Sequence, residues 1–163
     1  MVTVIRQQTD AGKKLEIALK NLEGKVGKVG WFEKSKYDDG TPVAAVAAVQ
    51  EYGWPARSIP PRPFMRPTII SKQGEWRVIA ENGAKAVLEG QATVYDVMED
   101  IGQRAAGDIK KAISLVFTPP LSPRTIQARL NRKSNKKTVG NLTKPLIDTG
   151  IMFNSLINVV EDE

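Results

Sequence analysis

The clearest pattern in the chain is an apolar stripe in its second half. Apolar residues recur every three or four positions over residues 94–116, which predicts an amphipathic helix of about six turns. Thr93 and Asp96 form a potential capping box at its start, and the prolines at 119 and 120 prevent the helix from continuing. Acidic residues lie early in this stretch and basic residues lie late, as the helix dipole favours.

Weaker helical patterns occur on both sides of this stripe. They predict helices over residues 9–24, 43–52, 68–89 and 123–130. The segment 43–52 is apolar on almost every side, so we expect it to be buried, with Thr41 as its cap and Pro42 as its first residue. In the same way, Ser122 before Pro123 predicts the start of the helix over 123–130.

Two short stretches alternate apolar and polar residues instead. Residues 25–33 and 156–160 therefore predict strands, and we expect the second to pair with the first. The expected fold class is α+β, a small antiparallel sheet that includes these strands and packs with two long and several short helices. A length of 163 residues favours one domain, with an N-terminal segment and helix at 1–24 and a mobile basic loop at 131–143.

A proline-rich segment, residues 50–67, lies between the 43–52 pattern and the two long helices. It contains five of the ten prolines, and proline disfavours both helix interiors and central strands. We therefore expect a stiff, mostly extended connector. It is either a surface loop that fixes the angle between two helices or a preformed contact surface for a partner protein. The contact residues predicted by the second interpretation are Tyr52, Trp54, Arg57, Ile59, Arg62, Phe64 and Arg66.

The composition narrows the possible chemistry. Neither cysteine nor histidine occurs, which removes disulfides, thiolate and imidazole metal sites, and Ser-His-Asp triads. We expect no enzymatic activity, no cofactor and no metal site. No run approaches the roughly 18 apolar residues of a membrane span, so no membrane partner is expected.

The net charge of +6 is concentrated in one stretch. No acidic residue occurs between Asp108 and Asp148, whereas basic residues are frequent there. Such a stretch is typical of a solvated loop, of an electrostatic contact with an acidic protein surface, or of contact with DNA phosphates. Residues 124–144 contain no aromatic side chain that could stack on bases. The predicted loop contacts are Arg132, Lys133, Lys136 and Lys137.

A short motif near the end has two interpretations. Asp148-Thr149-Gly150 matches the signature of aspartic proteases, which requires two carboxylates that share a proton. That chemistry also needs a β-rich body after the signature, and only 13 residues follow Gly150. The favoured interpretation is structural, with Asp148 or Thr149 capping a short helical turn that ends near Ser155.

The order of these features resembles one known family. The chain has a Val-Gly strand, a Val-Ala helix that ends in Glu51-Tyr52-Gly53, and then Ile-Pro-Pro-Arg-Pro-Phe-Met-Arg-Pro over 59–67. Two long helices follow, then Pro-Pro-Leu-Ser-Pro-Arg-Thr-Ile over 119–126 and Lys-Pro-Leu-Ile-Asp-Thr-Gly over 144–150. This arrangement, over roughly residues 26–160, resembles the tail-completion or head–tail joining proteins of long-tailed bacteriophages.

The resemblance implies a structural, non-enzymatic component of the virion. It implies a ring of identical subunits, commonly sixfold, that caps the tail tube and joins it to the head connector. The implied partners are further copies of the chain, tail tube or terminator proteins and head connector proteins, with a possible passing contact with DNA. The implied location is the neck or tail of the virion, after assembly in the host cytoplasm. A basic DNA-binding accessory protein of phage or prophage origin remains the alternative.

Overall fold

The structure of the protein is a computed structural model. It describes residues 9, 10, 12, 13, 16, 17, 20, 25–132 and 138–162. Its strands are β1 (Lys25–Gly30) and β2 (Ile157–Asp162). The helices for which bounds are described are α1 (Val43–Tyr52), α2 (Met65–Leu88), α3 (Val94–Leu115), α4 (Pro123–Leu130) and α5 (Ile151–Asn154), and a 3-10 turn lies at Pro55–Arg57.

The protein is a small α+β structure, as the sequence predicted. Strands β1 and β2 pair antiparallel, with Lys25 opposite Asp162 and Gly30 opposite Ile157. Helix α3 packs against both strands and along α2. The side of Gly27 that would carry a Cβ faces Met98 of α3, at 3.8 Å from its sulfur. The sheet therefore lies on the long helix that carries the strongest apolar stripe.

Helix α3 forms as its pattern predicted. Thr93 accepts from the Asp96 amide and Asp96 accepts from the Thr93 amide, so the capping box is confirmed. The side chain of Ser122 likewise accepts from the Thr125 amide and begins α4 at Pro123. The buried residues of α3 lie on one face: Val94, Gly102, Ala105, Ala106, Ile109 and Ile113.

Helix α2 crosses α3 at close range. A Cβ on Gly83 would lie 2.3 Å from a methyl carbon of Val97, which is closer than side-chain atoms approach. Glycine is less favourable than alanine inside a helix. The close approach of α3 explains why glycine occupies position 83, because a larger residue would clash with Val97. Further along the same pair, the indole of Trp76 donates to Asp108 at 2.9 Å.

The hydrophobic core lies where α1, α3 and the C-terminal segment meet. Its buried members are Val43, Ala47, Phe64, Ile109, Ile113, Met152 and Leu156. The ring of Phe64 meets that of Trp31 edge to face, with centroids 6.0 Å apart. The indole of Trp31 also donates to the carbonyl of Met152 at 2.7 Å, which ties the residues after β1 to α5.

The prediction that α1 is buried on almost every side is wrong. Only Val43, Ala47 and Glu51 are buried, and most other positions of α1 lie at or near the surface. Alanine counts as apolar in the pattern, but its small side chain gains little from burial. The predicted cap is also wrong. Pro42 itself is the extended residue before the helix, and no side chain caps it.

The connector expected over residues 50–67 is shorter in the structure: the helix predicted over 43–52 is confirmed, and the next helix begins earlier than the predicted residue 68. Residues 50–52 complete α1, and α2 begins at Met65. Pro67 is the third residue of α2, where a main-chain N–H has no helical acceptor in any case, so the proline costs no helical hydrogen bond. The remainder is irregular, and Trp54 and Ile59 form a bridge across the 3-10 turn.

Gly53 ends α1 with a positive φ of 78°. A Cβ at this position would lie 2.9 Å from the backbone nitrogen of Pro61 and 3.0 Å from the carbonyl oxygen of Ile59. We expect Gly53→Ala to lower the free energy of unfolding by about 2 kcal/mol, because it adds backbone strain and a clash with main-chain atoms. Urea denaturation tests this, with Gly74→Ala as the control, because nothing lies within 4 Å of a Cβ there. Equal stability of the two variants would contradict the prediction.

The Asp148-Thr149-Gly150 motif does not cap a helix through a side chain, as the sequence predicted it would. Helix α5 begins after Gly150, which has a φ of 79°, and no side chain caps it. The expectation that Asp148 or Thr149 is the cap is therefore wrong, and the carboxylate of Asp148 has other partners.

No helix among the described residues is long and apolar enough to cross a membrane.

Candidate functional site

A single buried carboxylate organises the proline-rich segment. Glu51, at the end of α1, accepts from the main-chain amides of Phe64 at 2.7 Å, Met65 at 2.9 Å and Arg66 at 3.1 Å. These are the amides at the start of α2, which have no acceptor within their own helix. The guanidinium of Arg66 also donates to Glu51 at 3.0 Å. The end of one helix therefore caps the start of the next across the prolines.

The environment of Glu51 favours its ionised form. Burial by itself raises the pKa of this carboxyl. The hydrogen bonds from Met65, Phe64 and Arg66 outweigh burial, so the net pKa lies below its usual value. The negative charge also faces the positive end of the α2 dipole. Glu51 is thus a charged structural link at neutral pH.

Arg62 links the segment to the loop that follows α3. Its side chain donates to the carbonyls of Pro119 at 2.7 Å and Pro120 at 2.8 Å, and to the side chain of Gln50 at 3.2 Å. Arg62 is only 4% exposed, and Phe64 lies in the core. The prediction that these two residues contact a partner is therefore wrong for this fold, because the subunit itself surrounds both side chains.

The other predicted contact residues lie on the outside. Trp54 is 42% exposed, and the Arg57 guanidinium lies over its ring at 4.7 Å from the centroid. Tyr52 is 62% exposed, and Arg66 lies over its ring at 4.5 Å. Ile59 is half-buried beneath the turn. The segment therefore presents two arginine–aromatic pairs on a framework held by Glu51 and Arg62.

Sequence reasoning missed one residue of this surface. Ile70 is 71% exposed and lies one helical turn after Arg66, on the same face of α2. The available signal was its position outside the apolar stripe that contacts α3. We define the contact face as Tyr52, Trp54, Arg57, Arg66 and Ile70.

Two residues of the basic stretch, Arg129 and Lys144, make hydrogen bonds within the subunit. The sequence alone did not predict these contacts. Arg129 donates through one nitrogen, Nη1, to the carbonyls of Leu142 at 2.8 Å, Lys144 at 2.9 Å and Ile147 at 3.3 Å. Lys144 donates to the carbonyl of Val116 at 2.8 Å. Its ammonium also lies 3.2 Å from the centroid of the Phe117 ring. These charges hold loops together, so they are not free for a partner.

Asp148 joins the flanks of the predicted mobile loop. It pairs with Arg132, accepts from the hydroxyl of Thr138 at 2.8 Å, and lies 3.6 Å from Nε of Arg129. Burial alone raises the pKa of Asp148, but its hydrogen bonds and the arginine charges lower the pKa below its usual value. The predicted contact at Arg132 is thus engaged within the subunit, and Lys133, Lys136 and Lys137 lie outside the described residues.

An open groove lies beside this framework, with a volume of about 1020 Å³. The turn at Tyr37, the buried side of the proline-rich segment, the start of α4 and the Asp-Thr-Gly motif all contribute to it. Its polar lining includes Tyr37, Arg62, Arg129, Arg132 and Asp148, and its apolar lining includes Val46, Ile59, Leu121, Leu146 and Ile151. The proline-rich segment, the basic stretch and the Asp-Thr-Gly motif each stand out in the sequence. The structure brings residues of all three together at one groove.

Comparison of the chain with protein-family models, with curated proteins and with solved structures finds no match. The family resemblance therefore stays a prediction from the motifs.

Proposed function

We propose that this chain is a structural subunit that assembles into a ring at the neck or tail of a long-tailed bacteriophage. In this proposal the ring caps the tail tube and joins it to the head connector. The observation that supports it is the contact face, where two arginine–aromatic pairs and Ile70 lie exposed on a rigid framework. We propose that this face binds a neighbouring subunit.

The residue types of the contact face suit such an interface. Tyrosine, tryptophan and arginine contribute most of the binding energy at protein interfaces, usually from a few central positions. Because Glu51 and Arg62 fix the segment within the subunit, little conformational entropy remains to be lost on binding. Each arginine already lies over its ring, so both side chains are arranged before the partner arrives.

Removing the aromatic side chains of the contact face is expected to prevent assembly. For Tyr52→Ala combined with Trp54→Ala, we expect each subunit contact to weaken by at least about 2 kcal/mol, or about 30-fold. Mass photometry and negative-stain imaging, with and without purified tail tubes, would then show monomers where the wild type shows rings.

Tyr95→Ala is the matched control for this experiment. Tyr95 is also an exposed tyrosine, but it lies in the first turn of α3, about 30 Å along the helix from Leu115 at its other end. Arg62 contacts the loop that follows that other end. Circular dichroism checks that each variant is folded. A wild type that is always monomeric and never joins tails would refute the ring. A double variant that still assembles would refute the assigned face.

A further inference from the structure

We propose that the two-stranded sheet continues into neighbouring subunits, with β1 of one copy pairing with the outer edge of β2 of the next. The occupant of each outer edge is therefore a second copy of this chain. This inference rests on the proposed ring, and it adds main-chain contacts that the contact face does not provide.

The sheet has two outer edges. Among the described residues it consists of β1 and β2, so the outer side of each strand has no strand partner there. Helix α3 covers one face of the sheet, where it meets Gly27 and Asn158, and a helix on a face does not occupy the hydrogen-bonding groups of an edge. Every residue of both strands is half-buried or exposed. In an antiparallel pair, alternate residues direct their N–H and C=O groups away from the partner strand, so each edge presents main-chain donors and acceptors.

Two features that commonly prevent pairing at such edges are missing from these strands. Neither strand contains a proline. Their six residue pairs, from Lys25 opposite Asp162 to Gly30 opposite Ile157, align without a bulge. Each edge is therefore continuous over about the usual length of a strand, and it can accept a strand from another chain.

The charges on the strands select which edges pair. The charged residues of β1 are Lys25 and Lys28, and those of β2 are Glu161 and Asp162. Pairing of β1 with β1, or of β2 with β2, would place like charges side by side, which destabilises a sheet. Pairing of β1 with β2 places opposite charges side by side, as it does within the subunit, where Lys28 donates to Glu161 at 2.5 Å.

The ion pairs within the subunit leave these charges accessible to a second strand. The side chain of Asp162 is 83% exposed, and that of Glu161 is 43% exposed. In a sheet that continues between subunits, each strand of one charge lies between two strands of the other. Every lysine of β1 is then flanked by carboxylates on both sides.

The two edges that meet are different surfaces of the subunit, so the contact is head-to-tail. A head-to-tail contact can repeat from one copy to the next and close into a ring. A contact between identical edges would instead end at a dimer. The charge pattern of the strands therefore favours the type of contact that the proposed ring requires.

The first test uses a charge-swapped, full-length variant that combines Lys25→Glu, Lys28→Glu, Glu161→Lys and Asp162→Lys. Opposite charges still face each other within this subunit, so circular dichroism should show the wild-type fold. The variant should form rings with itself for the same reason. A contact between wild type and variant sets like charges together, and we expect it to be at least about tenfold weaker.

Native mass spectrometry measures the mixing of the two proteins. Wild type labelled with ¹⁵N and unlabelled variant are combined as monomers and allowed to assemble, and we expect rings of one kind only. The control reverses an exposed ion pair of α2 by Arg77→Glu with Glu81→Arg, and it should mix freely with the wild type. Random mixing of the charge-swapped variant would overturn the strand pairing and leave the ring intact.

Hydrogen exchange tests the pairing in the wild type itself. We expect amides of residues 25–30 and 157–162 to exchange at least about tenfold more slowly in rings than in monomers obtained by dilution, because the N–H groups of the outer edges are then hydrogen-bonded. Equal exchange in rings and monomers would overturn the strand pairing alone. A protein that never forms rings would refute the proposed function, and this inference with it.

Discussion

Glu51→Ala is expected to lower the free energy of unfolding by about 3–5 kcal/mol. The carboxylate accepts from three main-chain amides at the start of α2 and from Arg66. Alanine leaves these donors without an acceptor in a buried place, and it leaves the end of α1 unconnected to α2. The Arg66 side chain is 53% exposed and stays solvated without Glu51, so the loss comes mainly from the three amides that no longer have an acceptor.

Urea denaturation followed by circular dichroism measures this loss. Glu81→Ala is the control, because Glu81 pairs with Arg77 on an exposed helix face and should change stability by less than about 0.5 kcal/mol. Glu51→Gln keeps an acceptor but loses the charge, so we expect an intermediate value. An alanine variant as stable as the Glu81 control would refute the role of Glu51.

The same carboxylate predicts a pH dependence. Because the folded-state pKa of Glu51 lies below its usual value, its stabilising effect is present above the unfolded pKa of about 4.3. The effect is lost as the pH falls through the folded-state pKa. The stability difference between the wild type and Glu51→Gln should therefore shrink on acidification from pH 7, which denaturation at a series of pH values would show.

Arg129→Met is expected to lower the free energy of unfolding by about 2–4 kcal/mol. Methionine keeps much of the side-chain volume, but it leaves the carbonyls of Leu142, Lys144 and Ile147 without their shared donor. It also removes a cation from Asp148. Amide hydrogen exchange should rise selectively over residues 138–150, since this donor holds that segment against α4.

Arg124→Met provides the matched control in the same helix. Arg124 is exposed, so its replacement should change stability by less than about 0.5 kcal/mol. If both methionine variants unfolded at the same urea concentration, the assignment of Arg129 as the organiser of the loop would be wrong.

The sequence predicted the parts of the fold that local patterns determine. Thr93 and Asp96 predicted the start of α3, and Ser122 with Pro123 predicted the start of α4. The β1–β2 pair was found from alternation alone. In these cases the decisive interactions lie within a few residues or recur with a fixed period, so they leave a readable signal.

The polar links left no such signal. Glu51 binds amides that lie 13 to 15 residues later, and Arg62 binds carbonyls 57 and 58 residues later. Every residue carries a main-chain carbonyl. The sequence therefore does not distinguish Pro119 or Leu142 as a hydrogen-bond acceptor for an arginine. For this reason the sequence shows Arg62 and Arg129 only as basic residues, and their burial is visible only in the fold.

The candidate site was predicted in part for the same reason. The aromatic and arginine residues around the prolines were recognised by type, and four of the seven lie exposed: Tyr52, Trp54, Arg57 and Arg66. The groove was not foreseen, because it requires Tyr37, Arg62 and Asp148 to meet from three distant segments.

The spacing of these contacts also bears on the order in which the chain folds. The link from Glu51 to Phe64 closes a loop of 13 residues, whereas Lys25 and Asp162 are separated by 137. Closing the longer loop costs about 2 kcal/mol more chain entropy. All the hydrogen-bond partners of Glu51 and Arg62 lie within residues 50–120, so synthesis of this part is finished before β2 leaves the ribosome. The hydrogen bonds of Glu51 and Arg62 are therefore able to form during translation, before β2 is available to pair with β1.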